Sequence, residues 1–140
     1  MATIRQGSCL CKRVRFTVQG DPFSYMVCHC PNCKKSAGSA FMTNAFFAPD
    51  KISVTEGEGL VKQYHDSDTT SGQTLIRSFC SNCGSSLFLS PTKADWKSVC
   101  PSAVDGGRDW VPRRENRTDA KFGWVQQLHT EPKRKSGSKL

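Results

Sequence analysis

The chain has 140 residues, carries a formal net charge of +8 at pH 7 and contains eight cysteines. This length fits one domain with a modest core, and no apolar run approaches the roughly 18 residues that a membrane-spanning helix requires. The opening sequence, MATIRQGSCLCKR, has no apolar signal segment, so secretion is not expected and the cysteines are expected to bind metal or to react. A disulfide framework is the alternative that an even number of cysteines leaves open.

The elements predicted along the chain are mostly short strands. Residues 14–18 alternate apolar and polar side chains, which is the period of a half-buried strand. A short helix is expected at 34–40, where Gly38 limits its length, and a polar loop at 65–72. Further strands are expected before Cys28 and at residues 41–47, 52–54, 60–64, 74–79 and 87–89. Several short strands without a long helix indicate a mainly β domain, which becomes polar and irregular from about Asp105.

Seven of the cysteines fall into three groups, and two of these groups predict one closed zinc site. Cys80 and Cys83 form a Cys-x-x-Cys turn that points two sulfurs at one ion, and Gly84 lets the backbone curl beneath it. Cys9 and Cys11 supply two more sulfurs, because side chains at i and i+2 of a strand lie on the same side. Four thiolates complete a tetrahedral shell, and this site would tie the beginning of the chain to its second half.

The third group, Cys28, Cys30 and Cys33, offers three sulfurs within six residues and predicts a second zinc site with an open position. Three protein ligands and one exchangeable position are typical of catalytic zinc. A thiol bound at that position is deprotonated and becomes a usable nucleophile. The alternative is that all seven cysteines are structural, with His29 or a distant residue completing the second shell.

Two further residues near these groups have a structural interpretation as well as a functional one. His29 lies between two predicted ligands and is expected to point away from them and to pack or support the site rather than bind metal. Cys100 stands alone and is expected to be a small buried apolar residue. The alternative for Cys100 is a fourth ligand or a reactive thiol near the open site.

In this order and at these separations, the cysteine groups resemble the glutathione-dependent formaldehyde-activating enzyme family, also named the centromere-protein-V group. The resemblance runs from about Gly7 to Trp124 and is strongest in GSCLCKRVRF, CHCPNCKKSAGSAF and IRSFCSNCGSSLF, with a weaker stretch in VDGGRDWVPR. It implies a mainly β structure, a β-tent zinc fold of several short coiled antiparallel sheets, as a single domain over residues 1–130. It also implies two Zn²⁺ per chain, one structural and one more labile, held by the same two sets of cysteines.

The activity that this resemblance implies is that of a carbon–sulfur lyase or synthase. Glutathione, the co-substrate, adds to formaldehyde to give S-hydroxymethylglutathione, or the adduct is cleaved again, at the zinc site of Cys28, Cys30 and Cys33. The sequence departs from the family pattern at Ser102 and at residues 115–117, near the expected substrate wall, which leaves the electrophile open. Lys34 and Lys35 are expected to place positive charge near the developing oxyanion. Contacts to glutathione are expected from Lys34, Lys35, Ser36 and Arg77.

Residues 131–140 form a predicted disordered basic tail that ends in Ser138, Lys139 and Leu140. This tripeptide is a peroxisomal address read by an import receptor, so the peroxisome is the expected location and the cytoplasm the alternative. The tail holds four basic residues and one acidic residue, a net +3 that leaves +5 for the rest of the chain. That excess favours anionic partners such as glutathione, and the lack of interleaved aromatic and basic residues argues against nucleic acid.

Three functions are open at this point. The first is a zinc enzyme that makes or breaks a carbon–sulfur bond in a glutathione adduct. The second is a glutathione or thiol carrier without turnover, which stays open because the sequence offers no convincing general base. The third is a structural zinc module that binds an acidic partner through its positive charge.

Overall fold

The structure, a computed structural model, describes residues 2–93 and 95–132. Over those ranges the prediction of a mainly β fold is confirmed, with ten strands, one α-helix and five short 3-10 helices. The 3-10 helices form single turns at Pro49–Lys51, Glu58–Leu60, Pro101–Ala103, Gly107–Asp109 and Thr118–Ala120. The described part of the chain contains no helix with the length and hydropathy needed to cross a membrane.

The smaller sheet consists of three antiparallel strands, in the order β1 (Ile4–Ser8), β2 (Arg15–Gln19) and β5 (Ile52–Glu56). In β2, the fully buried Phe16 and Val18 alternate with more exposed residues, which is the pattern that predicted this strand. Gly7 of β1 lies opposite Phe16, and a Cβ atom at position 7 would come within 2.3 Å of the phenyl ring. The close approach of β1 to β2 therefore requires glycine just before the first cysteine pair.

The larger sheet has seven strands. Their order across the sheet is β10 (Arg114–Asn116), β3 (Ser24–Cys28), β4 (Met42–Phe47), β9 (Lys97–Val99), β8 (Ser86–Pro91), β7 (Leu75–Cys80) and β6 (Val61–Asp66). Neighbouring strands are antiparallel with one exception, since β10 runs parallel to β3 with Asn116 opposite Cys28. The antiparallel expectation fails there because the chain crosses over through residues 100–113 before it returns beside β3.

The main hydrophobic core joins residues of both sheets. Phe16 of the smaller sheet packs edge to face against Phe88 of the larger one, with ring centroids 5.0 Å apart. Cys9 and Cys80 are buried members of the same core. The first predicted metal site therefore lies at the margin of the core, where its ligands are already held by packing.

The helix α1 (Pro31–Ala37) begins three residues earlier than the helix predicted at 34–40. Cys30 caps it, because its sulfur accepts a hydrogen bond from the backbone N–H of Cys33 at 3.3 Å. Proline at the first helical position fits the helical φ, and Gly38 ends the helix in the left-handed conformation at φ +62°. The helix thus starts between two of the predicted ligands and places Cys33 in its first turn.

Other boundaries also differ from the predictions. Strands β1, β9 and β10 were not predicted, and the polar loop predicted at 65–72 is wrong at its start, because β6 continues to Asp66, paired with Leu75 of β7. Glu131, the first residue of the predicted tail, donates its backbone N–H to the carbonyl of Pro112 at 2.9 Å. The rest of that tail from residue 133, with the tripeptide 138–140, lies outside the described residues, so disorder and peroxisomal import stay predictions.

Candidate metal centres and active-site cavity

Four cysteines from distant parts of the chain meet in a first cluster. The sulfur atoms of Cys9, Cys11, Cys80 and Cys83 lie within 4.8 Å of one another, with 3.5 Å between Cys9 and Cys11 and 3.9 Å between Cys11 and Cys80. A tetrahedral zinc ion with bonds of about 2.3 Å holds its sulfur ligands about 3.8 Å apart. The donor set and its spacing therefore fit a closed four-thiolate zinc site.

The turns that build this cluster differ in part from those predicted. Cys9 and Cys11 lie in a turn after β1, not in a strand, and Lys12 closes the turn at φ +65° with its N–H donating to the carbonyl of Cys9. The turn, rather than strand alternation, brings these two sulfurs together. On the opposite side Cys80 ends β7, and Gly84 at φ +78° donates its N–H to the carbonyl of Cys80 at 2.7 Å.

The thiols of the first cluster have unequal acidities. A hydrogen bond with the Ser85 hydroxyl, 3.2 Å from Cys83 Sγ, lowers the pKa of Cys83 to about 5. A side-chain hydrogen bond with Asn82 lowers the pKa of Cys11. Burial raises the pKa of Cys80 to about 11. Some ligands are thus ready as thiolates, while Cys80 would need the metal ion to stabilise its charge.

The second cluster gathers the sulfur atoms of Cys28, Cys30 and Cys33, which also lie within 4.8 Å of one another. Cys28 ends β3, Cys30 caps α1 and Cys33 lies in the first helical turn. Three convergent thiols fit a zinc site that has three protein ligands and one position left for another ligand. Within the described residues, all eight cysteines are free of disulfide bonds.

A buried arginine contacts the second cluster. The two terminal nitrogens of Arg77 lie 3.9 and 3.8 Å from Cys33 Sγ, while its Nε donates to Asp66 Oδ2 at 3.0 Å. Asp66 in turn accepts hydrogen bonds of 3.2 and 3.0 Å from the amide of Asn32, which lies in α1 next to Cys33. These contacts form a closed ring from the helix through Asp66 and Arg77 back to the cysteine.

The second cluster also contains thiols of opposite acidity. A hydrogen bond from Cys33 lowers the pKa of Cys28 to about 5, with further help from Cys30 and from the charge of Arg77. The same bond, with burial, raises the pKa of Cys33. The pKa values of Cys28 and Cys33 are thus shifted in opposite directions, so Cys28 is the sulfur of this pair that more readily becomes a thiolate.

A cavity of about 430 Å³ opens beside the second cluster. Its wall includes a loop at 69–71, and Arg117, whose Nη1 donates to Thr70 Oγ1 at 2.7 Å. The cavity lining holds all three cysteines, Arg77 and Asn32, but no Asp, Glu or His among the described residues. Its apolar side chains are Met26, Phe46, Leu75, Leu89 and Trp96. The three thiols thus face a space large enough for a small-molecule ligand.

His29 points away from the second cluster, as expected for a residue between two ligands. It is fully buried, its Nε2 lies 2.9 Å from Glu115 Oε1, and its Nδ1 has no hydrogen-bond partner among the described residues. Lys121 Nζ lies 2.8 Å from the same carboxylate oxygen. Burial opposes ionisation of Glu115, but hydrogen bonds from Lys121, His29 and the backbone of Leu128 outweigh it and lower its pKa. This network joins β10, through Glu115, to His29 between two cysteines of the second cluster.

The predicted lysines do not line the cavity beside the second cluster. Lys34 Nζ donates to the carbonyl of Ala120 and lies 4.2 Å from the ring centroid of Phe122. Lys35 and Ser36 line a neighbouring cavity of about 450 Å³, which shares Asn32 and Arg77 with the first one. The structure thus brings Arg77 to the cysteines and separates Lys34 from them. The roles of these four residues toward glutathione stay predictions.

Cys100 occupies the environment expected of a buried apolar residue. It packs against Cys28, Cys33 and Met42, and burial raises its pKa to about 11. Its sulfur is not part of the group of three that lie within 4.8 Å of one another. Cys100 therefore fills space beside the second cluster without belonging to its set of three sulfurs.

Several residues of the site were not predicted. Asp66 falls within the loop predicted at 65–72, and Asn32 has no predicted role although it lies inside the Cys-x-x-Cys spacing. Arg117 belongs to residues 115–117, which depart from the family pattern near the expected substrate wall. That departure is the sequence signal for a site residue in this segment. Trp96 and the loop at 69–71 carried no signal, because nothing in their sequence shows that they face the cysteines.

The fold and the two cysteine clusters define a mainly β protein with one closed and one open candidate metal centre. The chain belongs to the glutathione-dependent formaldehyde-activating enzyme family, whose family model matches residues 4–120. The resemblance inferred from the cysteine groups is therefore confirmed.

Named relatives agree with this membership. A protein named a putative glutathione-dependent formaldehyde-activating enzyme from Halomonas elongata is 30% identical over 131 residues, covering 86% of this chain and 79% of the relative. An uncharacterized lyase of Schizosaccharomyces pombe is 33% identical over 87 residues, but the match spans only 62% of this chain and 58% of that protein. A solved Rhodobacter sphaeroides structure, at 16% identity and a TM-score of 0.59, covers 79% of this chain and 99% of its own and shares the fold.

Proposed function

We propose that the chain is a zinc-dependent carbon–sulfur lyase or synthase that acts on a glutathione adduct of formaldehyde or another small electrophile. The observation that carries this proposal is the convergence of three cysteine sulfurs on a cavity of about 430 Å³, in a protein that has a separate and complete set of four. Family membership and the name of the Halomonas relative support the choice of glutathione.

The reaction needs no oxidant and no second cofactor. In the synthase direction, the glutathione sulfur bonds to the carbonyl carbon, and the proton that the thiol releases ends on the former carbonyl oxygen. The lyase direction reverses both steps. Zinc bound by Cys28, Cys30 and Cys33 would act as a Lewis acid that keeps a thiol deprotonated at neutral pH.

The chain's own residues have distinct tasks in this proposal. Arg77 places its positive charge next to Cys33 and offsets the negative charge of three thiolates in a partly buried cluster. Arg117 lies at the cavity wall, where its guanidinium could meet a carboxylate of glutathione. That guanidinium is held by Asp119 at 2.9 Å and by Thr70, so it is already oriented before a ligand arrives.

Metal content and glutathione binding test the proposal together. Zinc is counted by elemental analysis before and after mild chelation, and glutathione is titrated by calorimetry into each form. We expect two zinc ions per chain, one of them easily removed, and glutathione binding that disappears with the labile ion. Cys33→Ala should reproduce that loss, whereas Cys100→Ala, a change of the same size beside the same cluster, should retain both zinc ions and binding.

A non-catalytic carrier of glutathione is the second candidate. It is favoured by the absence of Asp, Glu and His from the described cavity lining, since a carrier needs no proton-transferring group. Exchange between free formaldehyde and its glutathione adduct, followed by NMR, separates the two. Acceleration by the zinc-loaded protein supports the enzyme, and tight binding without acceleration supports the carrier. Two equally resistant zinc ions and no glutathione binding would leave only a structural zinc module with an acidic partner.

A further inference from the structure

The apolar side of the cavity extends well beyond the three cysteines along one face of the larger sheet. Cys28 and Met26 lie two residues apart on β3, and Arg77 and Leu75 lie two residues apart on β7, so each pair shares a face. On β4, Phe46 lies four residues beyond Met42, which pairs with Cys28. At about 3.4 Å per strand residue, this face reaches roughly 7 to 14 Å from the cysteines.

The far part of this face is built for an apolar group. Phe46 and Trp96 pack edge to face with centroids 5.0 Å apart, and Leu89 of β8 lines the same cavity. Asn44 is the polar residue between Met42 and Phe46 on β4, and its Oδ1 already accepts a hydrogen bond from the Ser98 hydroxyl at 3.4 Å, while the polar Asn116 lies beside Cys28 at the cysteine end of the cavity. The charged side chains of the lining, Arg77 and Arg117, contact the cysteine ligand Cys33 and the polar loop at 69–71 respectively.

A hydroxymethyl adduct matches this cavity poorly. Its electrophile part is one carbon and one oxygen, which would leave the half-buried side chains of Met26, Leu75 and Trp96 facing water in the cavity. The peptide part of glutathione ends in two carboxylates and an amine, so it belongs with Arg117 and the loop at 69–71 rather than with Phe46 and Trp96. The apolar side of the cavity is therefore left for the other half of the adduct.

We infer that the cavity is shaped for the glutathione adduct of an apolar aldehyde whose alkyl or aryl group has about five to eight carbons. This inference rests on the proposed function and specifies its substrate. The bond made or broken is the one between the glutathione sulfur and the carbonyl carbon, and the thiol proton is carried by the hydroxyl oxygen of the adduct. No electron is transferred to or from any other group.

Two stable glutathione thioethers test the inference without turnover. S-Methylglutathione and S-hexylglutathione are titrated by calorimetry into the zinc-loaded full chain. We expect the hexyl compound to bind at least about tenfold more tightly, because its additional methylene groups leave water for the apolar face. Trp96→Ala and Leu75→Ser, two changes at half-buried positions, should each reduce hexyl binding at least about threefold while methyl binding is retained.

Trp124→Ala is the matched control, because Trp124 is 75% exposed and does not line the cavity. It should leave both affinities unchanged. Equal binding of the two thioethers, or equal losses in Trp96→Ala and Trp124→Ala, would overturn the apolar substrate and leave the proposed glutathione chemistry standing. If neither thioether nor glutathione binds, both the inference and the proposed function fail. The NMR exchange rate should likewise be higher for the hexanal adduct than for the formaldehyde adduct.

Discussion

Replacing Arg77 by methionine tests the ring that connects α1, Asp66 and the second cluster. The two side chains of the ion pair are only 9% and 8% exposed. Removing one partner of such a buried pair costs about 3–5 kcal/mol, since the other charge is left without compensation. For a domain of this size, at about 3 °C per kcal/mol, Arg77→Met should lower the thermal midpoint by roughly 9 to 15 °C.

The same substitution should act selectively on the metals. Arg77 contacts Cys33 of the second cluster and none of the four cysteines of the first. Zinc transfer to a chromogenic chelator should therefore become faster for one ion per chain and stay unchanged for the other. Arg15→Met is the control, because its ion pair with Glu56 spans 3.5 Å and its side chains are 49% and 66% exposed, so it should change neither quantity appreciably.

The double variant Asp66→Asn with Arg77→Met sharpens the test. Because both charges are then removed, the double variant should be more stable than the sum of the two single losses predicts. Strict additivity, or a cost of Arg77→Met no larger than that of Arg15→Met, would refute the reasoning that a buried ion pair supports the second cluster.

Three further predictions follow from packing and charge. Gly7→Ala should destabilise the protein by about 3 kcal/mol in denaturant unfolding, because its Cβ would lie 2.3 Å from the Phe16 ring, whereas Gly59→Ala, with open space around it, should be nearly neutral. Cys100→Ala should lower the thermal midpoint by a few degrees while zinc content stays at two, and loss of one zinc would identify it as a ligand instead. Glu115 has a lowered pKa when folded, so its contribution to stability is present above its unfolded pKa and is lost as the pH falls through the folded value. Thermal midpoints of the wild type and Glu115→Gln should thus differ at pH 7 and converge as the pH falls below the ordinary glutamate pKa of about 4.3 and through the lower folded value; a constant gap would contradict this.

The cysteine groups could be predicted from the sequence because metal-ligand spacing is a local property. Cys80, Cys83 and Gly84 carry their turn chemistry within five residues. The pairing of that turn with Cys9 and Cys11 could be predicted because a structural zinc site needs four ligands and each pair supplies two. The local geometry did not follow, since Cys-x-Cys converges equally well in a strand or in the turn closed by Lys12.

The supports of the second site could not be predicted in the same way. Strand β10 consists of Arg, Glu and Asn, which show no apolar alternation, and it is held beside β3 by backbone pairing and by the contacts of Glu115 with His29 and Lys121. Asp66 belongs to a polar run typical of a loop, and only its pairing across from Leu75 extends β6 to include it. Such contacts join residues distant in sequence, so no local pattern records them.

The first cluster also has a consequence for the order in which the protein assembles. Joining Cys11 to Cys80 through one ion closes a chain segment that contains Cys28, Cys30, Cys33 and Arg77. The entropic cost of closing a loop grows slowly with the number of residues in it. Once the loop is closed, the residues inside it have fewer conformations available. A metal ion held by Cys9, Cys11, Cys80 and Cys83 would therefore act as a folding nucleus. Where zinc is scarce, folding of newly made chains would then be limited by metal binding at the first cluster rather than at the second.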